Sequence, residues 1–322
     1  MPISNNDISN SQTSHLPIIC VIGASGFIGK HLLTYLSQQS VYKIKALTRK
    51  NNQISSPELI WVEGDLLNPD SLNNFIEEDS IVINLAYLAG QDNIKAMTDL
   101  ALICNQKKIS RFIHVSTASV IGRTDEDIIT ESTFCNPISA YEKEKLLIET
   151  TLLKYSINNF NLCILRPTAV FGPGGKNLLK MFRQLTEGSL PLAYLRSCIF
   201  KDRSLNLVYV ENVVAAIAFL MSAKNIDQQI FIVSDDHSPS NNYTAVESKF
   251  LSALDKKYFF PRLFVPTKLL ILGLKILGKS NANPYLKYSD SKLINLGFKK
   301  DYSLDTGLEL FIHWLLNKAS KT

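Results

Sequence analysis

The sequence predicts an α/β protein built on a doubly wound parallel sheet, and three observations lead to that fold class. Short apolar runs recur along the chain, each with the length and composition of a buried strand. The segments between them have the apolar spacing of helices. A glycine-rich turn, GASGFIG at 23–29, follows the first strand. Because strands and helices alternate, we expect a parallel sheet with helices on both faces.

The first strand is the apolar run Ile18 to Ile22, and a helical pattern begins at Phe27. A strand, a glycine-rich turn and a helix form a cradle in which backbone N–H groups and the helix dipole attract a phosphate. Gly23 permits the tight turn, Gly26 lets backbone approach a pyrophosphate, and Gly29 allows close helix–strand packing. A βα turn without a ligand is the alternative. We expect a dinucleotide to contact Gly23, Ser25, Gly26, Phe27 and Ile28.

The second strand, Lys43 to Arg49, ends in a polar residue and two cations. In dinucleotide-binding folds, a carboxylate at this strand end binds the ribose hydroxyls of NAD, whereas an arginine accommodates the 2′-phosphate of NADP. Thr48, Arg49 and Lys50 include no acid, so charge complementarity favours NADP(H), with NAD(H) as the alternative. Arg49 and Lys50 could equally be solvated loop charges.

The third and fourth strands are predicted at Leu59 to Leu66 and at Ile81 to Ala86. The Asp65 carboxylate can accept a hydrogen bond from the adenine amino group, or it can cap the following helix. Ala86 is small where the cofactor would pass. We therefore expect Asp65, Leu66 and Ala86 to contact the cofactor.

The fifth strand, Arg111 to Thr117, ends in the hydroxyl-rich segment Ser116 to Ser119. It follows a helix predicted over 94–106. The carboxyl edge of such a sheet is where these folds bind ligands. Further along, Ser139 suits a helix start, and Tyr141 and Lys145 share one face of that helix at i and i+4.

This tyrosine–lysine pair suits general acid–base chemistry. A phenol has a pKa near 10 and is a poor proton donor or acceptor at neutral pH. A nearby ammonium stabilises the phenolate, so we expect Lys145 to lower the pKa of Tyr141. The Thr117 hydroxyl could then orient a substrate carbonyl or alcohol.

Taken in order, five motifs resemble those of the extended short-chain dehydrogenase/reductases, in their sugar-nucleotide epimerase/dehydratase/reductase branch. The resemblance runs from Pro17 to near the end of the chain and implies a Rossmann-type dinucleotide domain at 17–172. A smaller C-terminal substrate lobe at 173–322 would be partly threaded back onto that domain. The motifs are GASGFIG at 23–29, GDL at 64–66, STASVIG at 116–122, YEKEK at 141–145 and LRPTAVFGPGG at 165–175.

The resemblance also implies roles for individual residues. Tyr141 would be the catalytic acid–base, and Lys145 would bind the nicotinamide ribose. Thr117 occupies the catalytic hydroxyl position, with Ser116 as the fallback, and the backbone from Pro167 would contact the nicotinamide end. A relic with an inactive site is the alternative interpretation.

Two positions depart from the pattern of the members that bind nucleotide diphosphates. Ala169 stands where they often have asparagine. Arg203, our candidate for the substrate phosphate, lies one step out of register relative to the acid Glu211. A solvated-loop role for Arg203 is the alternative.

The function that the resemblance implies is NADP(H)-dependent reduction of a dTDP- or UDP-linked 4-keto-6-deoxyhexose for surface polysaccharide synthesis. The alternative is an NAD-dependent 4-epimerase of a nucleotide- or lipid-linked sugar. A further alternative is a non-catalytic NADP-binding regulator on the same fold. The resemblance also allows a homodimer paired through two helices of the dinucleotide domain.

Composition excludes several other classes of function. The net charge of +5 is spread along 322 residues without a basic block, so we expect no nucleic-acid partner. Five cysteines without a CxxC pair and five scattered histidines predict no metal site and a cytoplasmic location. The Ser- and Asn-rich residues 1–16 are expected to form a disordered leader. The segment 263–277 is predicted to be an amphipathic, partly buried helix, with contact to a membrane surface as the less favoured alternative.

Overall fold

The computed structural model describes residues 16–50, 54–88, 90–263, 266 and 283–319. The predicted leader lies outside the described residues except for residue 16, and the amphipathic helix expected at 263–277 is described only at residues 263 and 266. Within the described ranges, no helix is long and apolar enough to cross a membrane.

Seven parallel strands form the central sheet, in the order β10-β7-β5-β4-β1-β2-β3. The predicted doubly wound α/β fold is thereby confirmed. The sheet strands are β1 (Ile18–Ile22), β2 (Lys43–Thr48), β3 (Leu59–Glu63), β4 (Ile81–Asn84), β5 (Arg111–Val115), β7 (Asn161–Pro167) and β10 (Gln229–Val233). Two small parallel pairs stand apart from it: β6 (Ile128–Ile129) with β11 (Lys287–Tyr288), and β8 (Ala169–Phe171) with β9 (Leu207–Tyr209).

Helices cover both faces of the sheet because successive side chains of a strand point in opposite directions. In β1, Ile19 and Val21 pack in the cluster that contains α1 and α7, whereas Cys20 and Ile22 pack in the cluster that contains α2, α3 and α4. These helices are α1 (Phe27–Gln39), α2 (Pro69–Phe75), α3 (Gln91–Gln106), α4 (Ala140–Ser156) and α7 (Val210–Ser222).

A separate apolar cluster lies in the C-terminal half of the chain. It joins Phe182, Phe250 and Phe311 to residues of β8 and β9. Because α7 and β10 return to the main sheet, the residues after 172 are shared between that sheet and this cluster. The boundary at 172 stays a prediction. The remaining helices are α5 (Leu179–Thr186), α6 (Leu190–Phe200), α8 (Tyr243–Ala253), α9 (Ser291–Asn295) and α10 (Leu304–Ala319).

The apolar spacing of residues 177–192 predicts one helical segment, and this prediction is wrong at the C-terminal end. The structure has two helices here, α5 and α6, separated at Gly188 and Ser189. A Cβ on Gly188 would lie 2.5 Å from the Gln184 carbonyl oxygen, and Ser189 is extended. α6 begins at Leu190 and has Pro191 in its first turn, where the N–H that proline lacks would have no partner within the helix.

Candidate functional site

The glycine turn between β1 and α1 is closely packed against neighbouring backbone. Gly23 has φ +80°, and a Cβ there would lie 2.7 Å from the Ala86 nitrogen. A Cβ on Gly29 would lie 2.4 Å from the Gly23 carbonyl oxygen. Gly26 is the N-cap residue of α1, and no side chain makes a capping hydrogen bond there. The turn geometry predicted for Gly23 and the close packing predicted for Gly29 are thus confirmed, because only glycine fits either position.

A cavity of about 310 Å³ opens at the carboxyl edge of the sheet, beside this turn. It lies where the strand order reverses between β1 and β4, the usual ligand position in open α/β sheets. Seven of the predicted cofactor residues line it: Gly23, Ser25, Gly26, Arg49, Asp65, Leu66 and Ala86. A dinucleotide fits this wall, since glycine backbone and a helix N-terminus face an anion favourably.

The other five predicted cofactor contacts lie outside the lining of this cavity: Phe27, Ile28, Tyr141, Lys145 and Pro167. Phe27 packs edge-on against His31, with 5.5 Å between ring centroids. Ile28 packs between two apolar clusters. Pro167 is buried at the end of β7, opposite Val233. Contact of these residues with a cofactor stays a prediction.

Two polar positions on the cavity wall have distinct local structures. Thr48 is buried, and its hydroxyl donates to the Lys50 carbonyl at 3.0 Å. Arg49, between them, is exposed at the tip of β2. The Asp65 carboxylate accepts from the Leu67 N–H at 2.9 Å. The alternative that Asp65 caps α2 is wrong, because the Asn68 side chain caps that helix instead.

A capping box fixes the start of α4 and with it Tyr141. The Ser139 side chain accepts from the Glu142 N–H at 3.2 Å, and the Glu142 carboxylate accepts from the Ser139 N–H at 3.0 Å. This reciprocal arrangement satisfies N–H groups that a helix start otherwise leaves unpaired. The helix start predicted at Ser139 is confirmed.

The Thr117 hydroxyl neighbours the Tyr141 phenol and acts to lower the pKa of that phenol. Thr117 caps a short 3-10 helix (Ala118–Ile121), and its hydroxyl lies 3.0 Å from that of Ser119. The Ser116 hydroxyl is buried without a hydrogen-bond partner in the part of the chain that the structure describes. Of the two predicted hydroxyls, Thr117 is therefore the one that meets Tyr141.

The Lys145 ammonium is buried behind this pair. Its Nζ donates to the Val115 carbonyl at 3.1 Å, and the residue is 3% exposed. Burial lowers the pKa of Lys145 to about 8, opposed by the charge of Glu149. The pKa of Tyr141 is raised by burial, while the Thr117 hydroxyl acts in the opposite direction. The prediction that Lys145 lowers the tyrosine pKa is wrong for this structure, in which loss of water around the phenol dominates.

Two residues that the sequence motifs did not single out, Tyr87 and Glu144, border the tyrosine–lysine pair. Tyr87 contacts the Tyr141 ring edge-on at 5.1 Å between centroids, and its hydroxyl donates to Glu144 at 2.6 Å. The position of each residue in the sequence could have indicated that it lies near the site. Tyr87 directly follows the predicted fourth strand at the same sheet edge, and Glu144 directly precedes Lys145.

Arg203 is partly buried, and burial lowers the pKa of its guanidinium. The guanidinium carbon lies 5.6 Å from the centroid of the Phe200 ring. Its role toward a substrate phosphate stays a prediction. Over the described residues, no group of three or more His, Cys, Asp or Glu side chains could hold a metal ion.

Comparison with known proteins matches residues 19–233 to the model of the NAD dependent epimerase/dehydratase family. The UDP-glucose 4-epimerase of Vibrio cholerae is 27% identical over 288 residues, which cover 82% of this chain and 83% of that enzyme. The decarboxylating sterol-4-alpha-carboxylate 3-dehydrogenase of Saccharomyces cerevisiae is 25% identical over 198 residues, 54% of this chain and only 57% of the relative. The crystal structure of dTDP-glucose 4,6-dehydratase from Bacillus anthracis in complex with NAD aligns with a TM-score of 0.71 at 18% identity, covering 94% of this chain and 98% of that one.

Proposed function

Because this chain belongs to the NAD dependent epimerase/dehydratase family, we propose that it is an NADP(H)-dependent reductase of a dTDP- or UDP-linked 4-keto-6-deoxyhexose. The observation that carries the proposal is the Thr117 hydroxyl beside the Tyr141 phenol, at the sheet edge that borders the dinucleotide cavity. The role in surface polysaccharide synthesis, the cytoplasmic location and the homodimer belong to the same proposal.

A bound nicotinamide would supply a hydride to the keto carbon. The residues of the chain supply the rest of the chemistry. Tyr141 donates its proton to the carbonyl oxygen as that oxygen gains negative charge. Thr117, whose hydroxyl neighbours the phenol, orients the same oxygen. Lys145, one turn further along α4, would bind ribose hydroxyls through its ammonium.

The test is incubation of the protein with NADPH and a panel of UDP- and dTDP-4-keto sugars. We expect reduced nicotinamide to be consumed in a one-to-one ratio with the sugar, followed by absorbance, and NMR to identify a 4-hydroxy product. A sugar that changes configuration without added cofactor would contradict the reductase proposal.

That second outcome would support a 4-epimerase with tightly held NAD. One observation favours it: the similarity to the Vibrio cholerae UDP-glucose 4-epimerase covers 82% of this chain. An epimerase purifies with bound nicotinamide and returns it unchanged after each cycle, so the cofactor content of the purified protein separates the two candidates.

The proposed preference for NADPH depends on Arg49 at the mouth of the cavity. We expect Arg49→Ala to weaken NADPH binding by about 10- to 100-fold, the value of one charge-assisted hydrogen bond, and to leave NADH binding nearly unchanged. Titration of nicotinamide fluorescence measures both affinities. Lys43→Ala, at the other end of β2, is the control and should change neither. Equal losses for the two dinucleotides would contradict the assignment.

The lowered pKa of Lys145 predicts a pH dependence for dinucleotide binding. The ammonium is present below about pH 8 and is lost as the pH rises through that value. Because the bound cofactor would favour the charged form, we expect NADPH affinity to be constant near neutral pH and to fall above about pH 8. In Lys145→Met the affinity should be weaker and independent of pH over this range. An alkaline loss that persists in Lys145→Met would assign it to another group.

A further inference from the structure

The segment that follows β4 places an aromatic ring against both members of the tyrosine–lysine pair. The Tyr87 ring lies edge-on to the Tyr141 ring at 5.1 Å and 79°. The Lys145 Nζ lies 5.7 Å from the centroid of the Tyr87 ring, within reach of a cation–π contact. Tyr87 also lines the dinucleotide cavity. One ring therefore borders the cofactor cavity, the candidate acid–base and the ammonium.

Glu144 holds this ring in place. Its Oε2 accepts from the Tyr87 hydroxyl at 2.6 Å, and its Oε1 accepts from the Gly90 N–H at 3.2 Å. Both oxygens of one carboxylate on α4 thus bind the segment after β4. Burial and the hydrogen bond to Glu144 together raise the pKa of Tyr87 to about 12, so the phenol remains a donor across the working pH range.

Two other titratable residues, Glu149 and His114, lie near Lys145. Glu149, on the same helix, is paired with Arg166. His114, on β5, is fully buried, and burial followed by the charge of Lys145 lowers its pKa well below the ordinary value, so it stays neutral. Although Tyr87 itself is 36% exposed, Lys145 is only 3% exposed.

We propose that Tyr87 is a positioning residue for the acid–base pair: held by Glu144, its ring keeps water from the Lys145 ammonium and fixes that ammonium beside the dinucleotide cavity. The proposal rests on the proposed function for its catalytic meaning. Its physical content, the shielding of one amine by one ring, can be measured without cofactor or sugar.

The test is competitive acetylation of the intact protein with acetic anhydride, with the extent of reaction at Lys145 measured by mass spectrometry from about pH 7 to pH 10. Only the neutral amine reacts, so the curve reports both the accessibility and the pKa of Lys145. In Tyr87→Ala we expect the limiting rate to rise about tenfold. The midpoint should move up by about one pH unit, toward the ordinary lysine value, because burial is the main cause of the lowered pKa.

Further variants separate the effect of the Tyr87–Glu144 hydrogen bond from the effect of the Tyr87 ring. Tyr87→Phe and Glu144→Ala should each give a smaller shift in the same direction, and Glu144→Gln, which keeps an acceptor oxygen, should restore the wild-type curve. Tyr155→Ala is the matched control: the Tyr155 ring lies 5.7 Å from Lys154 Nζ on the same helix, and its loss should leave Lys145 unchanged.

A Tyr87→Ala protein that is folded by circular dichroism and has the wild-type Lys145 curve overturns the inference. If Tyr87→Ala fails to fold, the curve of Tyr87→Phe decides in its place. A wild-type protein that does not bind NADPH would instead contradict the proposed function, whereas the acetylation result for Lys145 would still stand.

Discussion

Replacing Tyr141 by phenylalanine is expected to lower kcat by about 10²- to 10⁴-fold, the usual contribution of a positioned general acid. The substitution removes only the hydroxyl beside Thr117 and keeps the ring that packs against Tyr87. Dinucleotide affinity should therefore remain within about twofold of wild type. The measurement is kcat for the 4-keto sugar that responds in the panel, together with a fluorescence titration of NADPH.

The direction of the tyrosine pKa sharpens this expectation. Because burial raises the pKa of Tyr141, the phenol is protonated near neutral pH and ready to donate, as carbonyl reduction requires. Thr117→Ser, which keeps a hydroxyl, is the control and should lose far less activity than Thr117→Val. A Tyr141→Phe protein with full biological activity would support the non-catalytic regulator instead.

Replacing Glu149 by alanine is expected to destabilise the fold by about 3–5 kcal/mol, the usual cost of leaving a buried charge without its partner. Arg166 and Glu149 are 3% and 1% exposed, with 2.5 Å between Nη2 and Oε2. The guanidinium Nε also donates to both carboxylate oxygens. The pair joins β7 to α4, the helix that carries Tyr141. Urea unfolding at unchanged m-value measures the loss.

The control for this prediction is the exposed ion pair Lys95–Asp99, whose charged atoms lie 3.0 Å apart on α3. Asp99→Ala should cost less than about 0.5 kcal/mol, because water solvates the remaining charge. The double variant Arg166→Met, Glu149→Leu should recover most of the stability, since no charge is then left buried. Equal costs for Glu149→Ala and Asp99→Ala would contradict the argument.

Several features of this fold were predictable because their causes are local in the chain. Gly23 has a positive φ, and a Cβ on Gly29 would meet carbonyl oxygens of the same turn, so the residue type alone indicates the geometry at both positions. Ser139 and Glu142 lie three residues apart and cap the same helix turn. The parallel pairing of β1 with β2 and β4 agrees with the parallel sheet that the alternation of strands and helices predicted. The helix break at Gly188 was missed because the apolar spacing continues through it.

The electrostatics of the site were not predictable in the same way. A distance of four residues along a helix does not say how much water reaches either side chain, and burial decided the pKa of both Tyr141 and Lys145. The choice of Thr117 over Ser116 likewise depended on which hydroxyl faces α4. Tyr87 and Glu144 are 57 residues apart, and only the fold brings them together.

The amino-acid sequence by itself determined the doubly wound sheet, the glycine turn and the presence of tyrosine, lysine and threonine at one edge, because short-range sterics and apolar periodicity act within a few residues. Only the tertiary structure decided which hydroxyl meets the phenol, how deeply the amine is buried and which ring covers it. Those features depend on solvent exclusion by residues distant in the chain, and the free energy of a buried charge follows its surroundings rather than its neighbours in sequence.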